Sequence, residues 1–309
     1  MKKKKRREAL APRVPILIAL TLILALPAQS LAWGSEGHQI VARIAGKLLT
    51  QPARGQVKSL LSAPGENFQS VALWADGIRG SEPGKRPETP HWHFVDTPLG
   101  ENYSAQRDCV ETPNGSCVVS ALEMFQEVLS KRRKGYFDER FNRYEALKFI
   151  IHFTGDIHQP LHCITDTRDN PDGDQGGNKK SVIWFGTSGK KLHGVWDTNI
   201  LQKNMSEQNN ATINTYADFL FNGLTQQEKD LAKPSVSSTP TVVSRQHIER
   251  WAIEGHEIAE DAYSDIGTPT QNGDYRLGQN YYNRHREQVD KQLKLAGIRL
   301  ARILNENLR

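Results

Sequence analysis

The stretch His152-Phe-Thr-Gly-Asp-Ile-His-Gln-Pro-Leu-His162 holds three histidines and an aspartate. On a helix, residues four apart lie on the same face, so His152 and Asp156 can bind a single metal ion. Pro160 cannot continue the helix, so the chain after it can turn His162 back toward this pair. His158 lies two residues from Asp156 and would point elsewhere, so we exclude it as a ligand. The stretch therefore predicts a helix whose C-terminal end contributes to a metal site.

Further candidate ligands lie on both sides of this stretch. His193 and Asp197 repeat the four-residue spacing, and imidazole nitrogen together with carboxylate oxygen suits zinc. Alone, that pair could be an ion pair on a helix surface. Upstream, Asp76, His93 and His38 could each have an ordinary structural role. Because these five residues occur in the same chain as the central stretch, together they favour a metal cluster.

The N-terminal region has the features of a secretory signal peptide. Residues 2–7 are all lysine or arginine, residues 14–26 form an apolar run, and Ser30-Leu31-Ala32 places small residues at the two positions that determine cleavage. An uncleaved membrane anchor is the alternative, but about 13 apolar residues fall short of the roughly 20 that span a bilayer. We therefore expect a cleaved leader over residues 1–32, a mature chain that begins at Trp33, and a secreted or periplasmic protein.

The positive charge of the whole chain belongs mostly to this leader. The formal net charge is +5, from 40 lysines and arginines against 35 aspartates and glutamates. Residues 1–32 hold seven of the basic residues and one of the acidic ones, so residues 33–309 carry 33 against 34. The sequence pI of about 9.0 therefore does not indicate a basic surface for nucleic acid.

The rest of the chain is predicted to be helical. Apolar residues recur at intervals of three to four, whereas strand-like runs such as Ser181 to Phe185 are short. We predict an all-α, multi-helix single domain over residues 33–309, with long loops and at most a short β-hairpin. The predicted helical segments are 36–50, 52–62, 69–79, 117–132, 143–159, 192–202, 210–223, 244–264 and 278–307. The predicted loops are 80–116, 165–180 and 224–243, each rich in turn-forming residues.

The expected export determines how the cysteines and the glycosylation sequons are interpreted. Cys109 and Cys117 lie in a polar stretch and are expected to form a disulfide, while Cys163 is left as a small core residue. The aspartate- and glycine-rich stretch from Asp169 to Asn178 has no glutamate at the twelfth position of a calcium loop, so we interpret it as a loop near the site. Four asparagines lie in sequons that could carry glycans in a eukaryotic host: Asn102, Asn114, Asn204 and Asn210.

The order of these motifs resembles the S1/P1 type zinc-dependent nucleases, a secreted single-strand nuclease family. The resemblance runs through the whole mature chain. The motifs that carry it are Trp33-Gly-Ser-Glu-Gly-His38, Trp74-Ala-Asp76, His91-Trp-His-Phe-Val-Asp96, His152 to His162, Gly176-Gly-Asn178, Leu192-His-Gly-Val-Trp-Asp197 and Trp251-Ala-Ile-Glu254. This family has a helical fold and three zinc ions.

The resemblance implies how the ligands divide among three zinc ions. One site would use Asp76, His93, His152 and Asp156. The second would use His162, His193 and Asp197. The third would use the α-amine and carbonyl of Trp33 with His38, and Asp156 would bridge it to the first. An α-amine has an unperturbed pKa near 7.7–8.0 and exists at Trp33 only after cleavage, so the preprotein should lack the complete site.

The resemblance also implies the reaction and the substrate contacts. It predicts an endonuclease that cleaves single-stranded DNA and RNA to 5′-phosphate products and also acts on 3′-nucleotides. Arg79, three residues after Asp76, is placed to neutralise the phosphate. Phe94 and Asp96 would bind an unpaired base, with Asn178 and Asn199 as weaker candidates for the same pocket. We expect a monomer without stable membrane association after leader cleavage.

Two other functions compete with this one. Zinc-dependent phospholipases C share the fold class and also begin with a tryptophan ligand. Their first histidine is further from the terminus and their last ligand pair usually ends in glutamate, so His38 and Asp197 favour the nuclease. A non-catalytic exported zinc-binding protein is the second alternative, but such proteins more often have histidine-rich runs than single ligands spread over a fold.

Overall fold

The structure is a computed structural model that describes residues 33–80, 84–110, 112, 115–130, 141–235 and 241–309. The predicted leader over residues 1–32 and the sequon at Asn114 lie outside the described residues. Within the described residues, no helix is both long and apolar enough to cross a bilayer.

Helices make up most of the described chain, and the predicted all-α class is confirmed. The α-helices are α1 (Ser35–Leu48), α2 (Gln51–Leu60), α3 (Trp74–Gly77), α4 (Ala105–Asp108), α5 (Val118–Leu129), α6 (Arg143–Asp156), α7 (Leu192–Gly194), α8 (Ile200–Glu207), α9 (Ile213–Asn222), α10 (Gln226–Asp230), α11 (Arg245–Ser264) and α12 (Gln279–Asn307). Short 3₁₀ segments cover Ser70–Leu73, Pro90–His93 and Pro160–Cys163, and a π-helical turn covers Val195–Asn199. The predicted segments therefore match, although several that looked continuous are divided into shorter pieces.

Helix α6 is buried along most of its length. It begins with a capping box, in which the Asn142 side chain accepts from the Glu145 N–H and the Glu145 carboxylate accepts from the Asn142 N–H. Every residue from Ala146 to Asp156 is buried. The rings of Phe125 and Phe149 stack with centroids 4.3 Å apart, so α5 packs against α6. The polar residues near the C-terminal end of α6 therefore lie in the protein interior.

The terminal helices pack closely and hold the chain that carries Trp33 and His38. Helix α1 lies along α12, and a Cβ atom at Gly297 would come within 2.4 Å of Ile44. Only glycine permits this approach, because any side chain there would separate the two helices. The close packing fixes α1, and with it the first candidate ligands, against the core.

A small sheet departs slightly from the predicted hairpin. Strands β1 (Ser181–Trp184) and β2 (Thr187–Lys191) form the antiparallel hairpin, and β3 (Tyr275–Leu277) pairs parallel to β1. The third strand was not predicted because three residues are too few to show an alternating pattern. The hairpin leads directly into α7, which carries His193.

The disulfide prediction is confirmed. Cys109 and Cys117 are bonded, and Cys163 is a buried free cysteine. The residue after the bridge, Val118, donates its N–H to the Phe94 carbonyl at 3.0 Å. The bridge therefore supports the segment that follows the candidate ligand His93.

One sequon assignment is wrong. Asn204 is only 2% exposed, and its amide donates to the Arg286 carbonyl and to the Asp290 carboxylate, each at 3.0 Å. A glycan on this nitrogen is incompatible with the fold. Asn102 and Asn210 are exposed, as glycosylation requires.

Candidate metal centre

Asp156 lies at the centre of the first cluster of candidate ligands. Its Oδ1 is 3.3 Å from His38 Nε2, and its Oδ2 is 2.9 Å from His93 Nδ1 and 3.3 Å from His152 Nε2. Asp76 completes this cluster, with Oδ1 at 3.5 Å from His152 Nε2 and 3.7 Å from His93 Nδ1. The two Asp156 oxygens therefore face different histidines, as a carboxylate that bridges two metal ions would.

His162, His193 and Asp197 form the second cluster. The two Nε2 atoms are 3.1 Å apart, and Asp197 Oδ1 is 3.5 Å from His193 Nε2. The 3₁₀ turn that begins at Pro160 brings His162 to this position. Ligand atoms thus gather in three groups: His38 with His152 and Asp156, Asp76 with His93 and His152, and His162 with His193 and Asp197. The first two groups share His152.

The hydrogen bonds of the rings show that the sites fit metal ions. Nδ1 of His162 is 2.6 Å from the His93 carbonyl, and Nδ1 of His193 is 2.7 Å from the Gly176 carbonyl. A carbonyl oxygen only accepts, so each Nδ1 carries the proton and each Nε2 presents a lone pair. Two lone pairs then face each other at 3.1 Å, which is repulsive unless a cation lies between them. Nδ1–H donation to a carbonyl is also the usual way in which proteins orient a metal-binding histidine.

The ionisation of the buried groups supports the same conclusion. Burial lowers the pKa of His38, His93 and His162, which keeps these imidazoles neutral, the form that binds metals. Burial raises the pKa of Asp156 well above its ordinary value. The carboxylate form of a group buried in this way needs a cation nearby. The neutral imidazoles of His38 and His93 beside such a carboxylate are the ligand types of a zinc site.

Trp33 and His38 are held at the edge of the first cluster. Trp33 is fully buried, and the N–H of Gly34 donates to the Asp197 carbonyl at 2.9 Å. The His38 ring stacks on His152 with centroids 4.0 Å apart. A Cβ atom at Gly155 would lie 2.6 Å from His38 Nδ1, so glycine at that position is what admits the ring. The fold thus places the first residues of the expected mature chain beside both clusters.

Arg79 lies beside Asp76 as its spacing predicts, with Nη2 2.8 Å from Asp76 Oδ1. Burial alone would raise the pKa of Asp76, but His152 and Arg79 outweigh that effect and hold the pKa below its ordinary value. The Arg79 side chain is 14% exposed, while its Nε and Nη2 atoms are buried. This geometry suits a group that neutralises a phosphate at the metal centre.

The four predicted substrate-binding residues occupy three different segments. Phe94 is half-buried and Asp96 is exposed, and both follow His93 directly. Asn178 is two residues beyond Gly176 and donates to the Gln175 carbonyl at 2.9 Å. Repulsion from Asp174 contributes to the raised pKa of Asp96, so the loop that contains Asn178 lies near Asp96.

Asn199 stands apart from these three. It lies at the end of the π-helical turn that carries Asp197. Among the described residues, no hydrogen bond joins it to Phe94, Asp96 or Asn178. Asn199 therefore lies on the same turn as the candidate ligand Asp197, in a segment separate from the other three residues.

The aspartate-rich loop before Asn178 contains its own cation. The Lys180 ammonium is 2.8 Å from Asp166 Oδ2 and 3.8 Å from Asp174 Oδ2. The hydroxyl of Tyr263 donates to the Asp174 carboxylate at 2.8 Å. A lysine therefore lies beside the Asp174 carboxylate of this loop and pairs with Asp166, which precedes the loop.

Gln159 was not identified from the sequence. Its carboxamide nitrogen is 2.5 Å from Asp197 Oδ1, and its carbonyl oxygen accepts from the Leu161 N–H at 2.7 Å. Its position inside the central motif, directly before Pro160, was the available signal. A single glutamine in a motif is too weak a signal for a role to be assigned.

Comparison with known proteins shows to which family the chain is similar. A profile of the S1/P1 nuclease family matches residues 33–309. Endonuclease 2 of Arabidopsis thaliana is 31% identical over 94% of this chain and 96% of its own length. Nuclease S1 of Aspergillus oryzae is 27% identical, with 94% and 96% covered, and nuclease P1 of Penicillium citrinum is 28% identical, with 89% and 97% covered.

The protein is thus a nuclease, a hydrolase that acts on phosphodiester bonds. The chain belongs to the S1/P1 nuclease family, and the resemblance seen in the sequence is confirmed.

Proposed function

We propose that this protein is an exported, zinc-dependent endonuclease that cleaves single-stranded DNA and RNA to 5′-phosphate products and also hydrolyses 3′-nucleotides. The observation that carries the proposal is the gathering of three groups of candidate ligands, two of which share His152 and lie around the buried carboxylate of Asp156. We further propose that the mature chain begins at Trp33, acts as a monomer and does not stay attached to a membrane.

The proposed ligand sets follow the geometry of the two clusters. Asp76, His93, His152 and Asp156 would hold one ion, and His162, His193 and Asp197 a second. The α-amine and carbonyl of Trp33 would hold a third with His38 and Asp156. Bound zinc would lower the pKa of a coordinated water to about 7 and stabilise charge on the phosphate oxygens.

The remaining chemistry would come from the side chains around the ligands. Arg79 would place its guanidinium against the phosphate and offset the charge that develops in the transition state. Phe94 would stack on a base, and Asp96 would accept hydrogen bonds from base N–H groups. An aromatic face stacks any base for roughly 1–3 kcal/mol, and only an unpaired base offers that face. The proposed preference for single strands follows from this requirement.

The direct test is a substrate panel for the protein that starts at Trp33. Single-stranded DNA, RNA, a 3′-nucleotide and a phosphatidylcholine analogue would be assayed before chelation, after chelation and after back-titration with zinc. We expect nucleic-acid cleavage to 5′-phosphates that chelation abolishes and zinc restores. Cleavage of the lipid alone would instead indicate a phospholipase C, and zinc binding without any turnover would indicate a zinc-binding protein.

A pH-dependent contribution of Asp96 to substrate binding is expected. Asp96 keeps an exposed surface, but neighbouring atoms desolvate its carboxyl, and this desolvation together with repulsion from Asp174 and Asp108 raises the pKa to about 6. Only the ionised form accepts from two base N–H groups, so KM for guanine-containing single strands should fall as pH rises through about 6. Asp96→Asn should remove this change in KM, which steady-state kinetics between pH 5 and 7.5 would measure.

The raised pKa of Asp96 also leads to a prediction about the folding stability of the protein. A carboxyl whose pKa is higher in the folded state than in the unfolded state stabilises the folded protein at pH values below the unfolded pKa. For Asp96 this contribution is lost as the pH rises through about 6. Asp96→Asn should therefore raise the melting temperature at pH 7.5 relative to wild type, and change it less at pH 4.5. Asp261→Asn, at an exposed position on α11, is the matched control. Equal effects of both substitutions on KM would contradict a role of Asp96 in binding.

A further inference from the structure

Gln159 lies inside the second ligand cluster, between the end of α6 and His162. It is fully buried. Its backbone N–H donates to the Asp156 carbonyl at 2.9 Å, and its own carbonyl accepts from the His162 N–H at 2.9 Å. One residue thus connects the backbone of Asp156, in the first cluster, to that of His162, in the second.

The orientation of the Gln159 side chain is determined by its partners. The Leu161 N–H can only donate, so the atom that it contacts at 2.7 Å must be the carboxamide oxygen. The amide nitrogen then points the other way, toward Asp197 Oδ1 at 2.5 Å. The opposite assignment of the two atoms would place a donor against a donor at Leu161, and the carboxamide oxygen against the Asp197 carboxylate.

The amide nitrogen faces two candidate ligand atoms at once. Besides Asp197 Oδ1, it lies 3.5 Å from His193 Nε2. That nitrogen has a lone pair because His193 Nδ1 donates to the Gly176 carbonyl. The proposed zinc would use that single lone pair, so the amide donates to Asp197 Oδ1, because a carboxylate oxygen can accept a hydrogen bond and still bind a metal ion.

We infer that Gln159 is a positioning residue for the second cluster, and that it holds Asp197 in the geometry that binds zinc. The inference rests on the proposed function, since it presumes that this cluster binds zinc. A carboxylate on a free side chain rotates about two bonds, and ordering it costs free energy when the metal binds. The Gln159 donor fixes the carboxylate beforehand, which is how outer hydrogen bonds raise metal affinity.

The test compares two buried glutamines. Gln159→Leu removes the amide from the cluster. Gln126→Leu is the matched control, because Gln126 is also fully buried and its carboxamide also orders backbone, with the Val243 N–H as donor at 2.8 Å. Gln126 bonds none of the candidate metal ligands among the described residues, so its loss should affect folding stability and not zinc.

The measurement is zinc affinity by chelator competition, together with the absorption spectrum of the cobalt-substituted protein. In Gln159→Leu we expect one of three zinc ions to bind roughly 10–100-fold more weakly, with the other two unchanged. The cobalt spectrum should change because the ligand geometry at that ion changes. In Gln126→Leu we expect wild-type zinc affinities and an unchanged spectrum.

Three wild-type affinities in Gln159→Leu would overturn the inference, as would an equal loss of zinc in Gln126→Leu. If Gln159→Leu does not fold, Gln159→Glu keeps the acceptor for the Leu161 N–H and loses the amide donor. A changed affinity of one ion in that variant would support the inference, and three unchanged affinities would refute it. Failure of the proposed function is visible separately, as a wild-type protein that binds no zinc or cleaves no nucleic acid.

Discussion

Asp156→Asn is expected to abolish most of the nuclease activity, with kcat/KM lower by about 1,000-fold or more. The two oxygens of Asp156 face His38 on one side and His93 with His152 on the other, so one substitution affects two proposed ions. Each ion contributes several kcal/mol of charge stabilisation, and about 4 kcal/mol corresponds to that factor. Metal analysis should find about one zinc per chain in place of three.

A stability measurement distinguishes loss of metal from misfolding. Burial raises the pKa of Asp156, so its ionised form destabilises the protein when zinc is removed. In chelator at neutral pH, Asp156→Asn should melt no lower than wild type, whereas in zinc it should melt clearly lower. Asp290→Asn, at a hydrogen-bonded aspartate on α12, is the isosteric control and should keep zinc and activity. A variant that retains three zinc ions would rule out Asp156 as the bridging ligand.

The second large effect should come from a single residue added before Trp33. An amide nitrogen has no lone pair available for zinc, whereas a free α-amine loses its proton readily near neutral pH. Trp33 is fully buried and the Gly34 N–H donates to the Asp197 carbonyl, so Trp33 has a fixed position beside the candidate ligands. We expect the extended protein to lose one zinc and about 100-fold or more in kcat/KM.

A removable extension provides the control for this experiment. The same protein would carry a protease site that leaves Trp33 as the first residue after cleavage. Zinc content and nuclease activity would be measured before and after the protease is added. Recovery of both supports the amine as a ligand. Full activity and three zinc ions in the uncleaved protein would show that the amine is not needed.

The sequence indicated which candidate ligands the fold brings together, because helix geometry is regular. Positions four apart on α6 must share a face, so His152 and Asp156 could be paired without a structure. The same spacing worked for His193 and Asp197, although a π-helical turn carries Asp197. The long helices were also predictable, since their apolar periodicity extends over many residues.

Other features depend on contacts between distant segments. The pairing of β3 with β1 joins residues about ninety positions apart, and three residues carry no pattern that could reveal it. The burial of Asn204 follows from its contacts with α12, which the sequon itself does not reflect. The direction of the Gln159 carboxamide likewise depends on Leu161 and Asp197, so local spacing could not give it.

The scatter of the candidate ligands along the chain has a thermodynamic consequence. They come from segments as far apart as His38 and Asp197, and they meet only when the protein is folded. A ligand that binds only the native state adds about 1.4 kcal/mol to the free energy of unfolding for each tenfold rise in its free concentration above Kd. With three zinc ions bound as proposed, a tenfold fall in free zinc would cost roughly 4 kcal/mol, a large part of the 5–15 kcal/mol typical of a domain. The lifetime of the folded enzyme would then depend on the supply of the metal as much as on temperature.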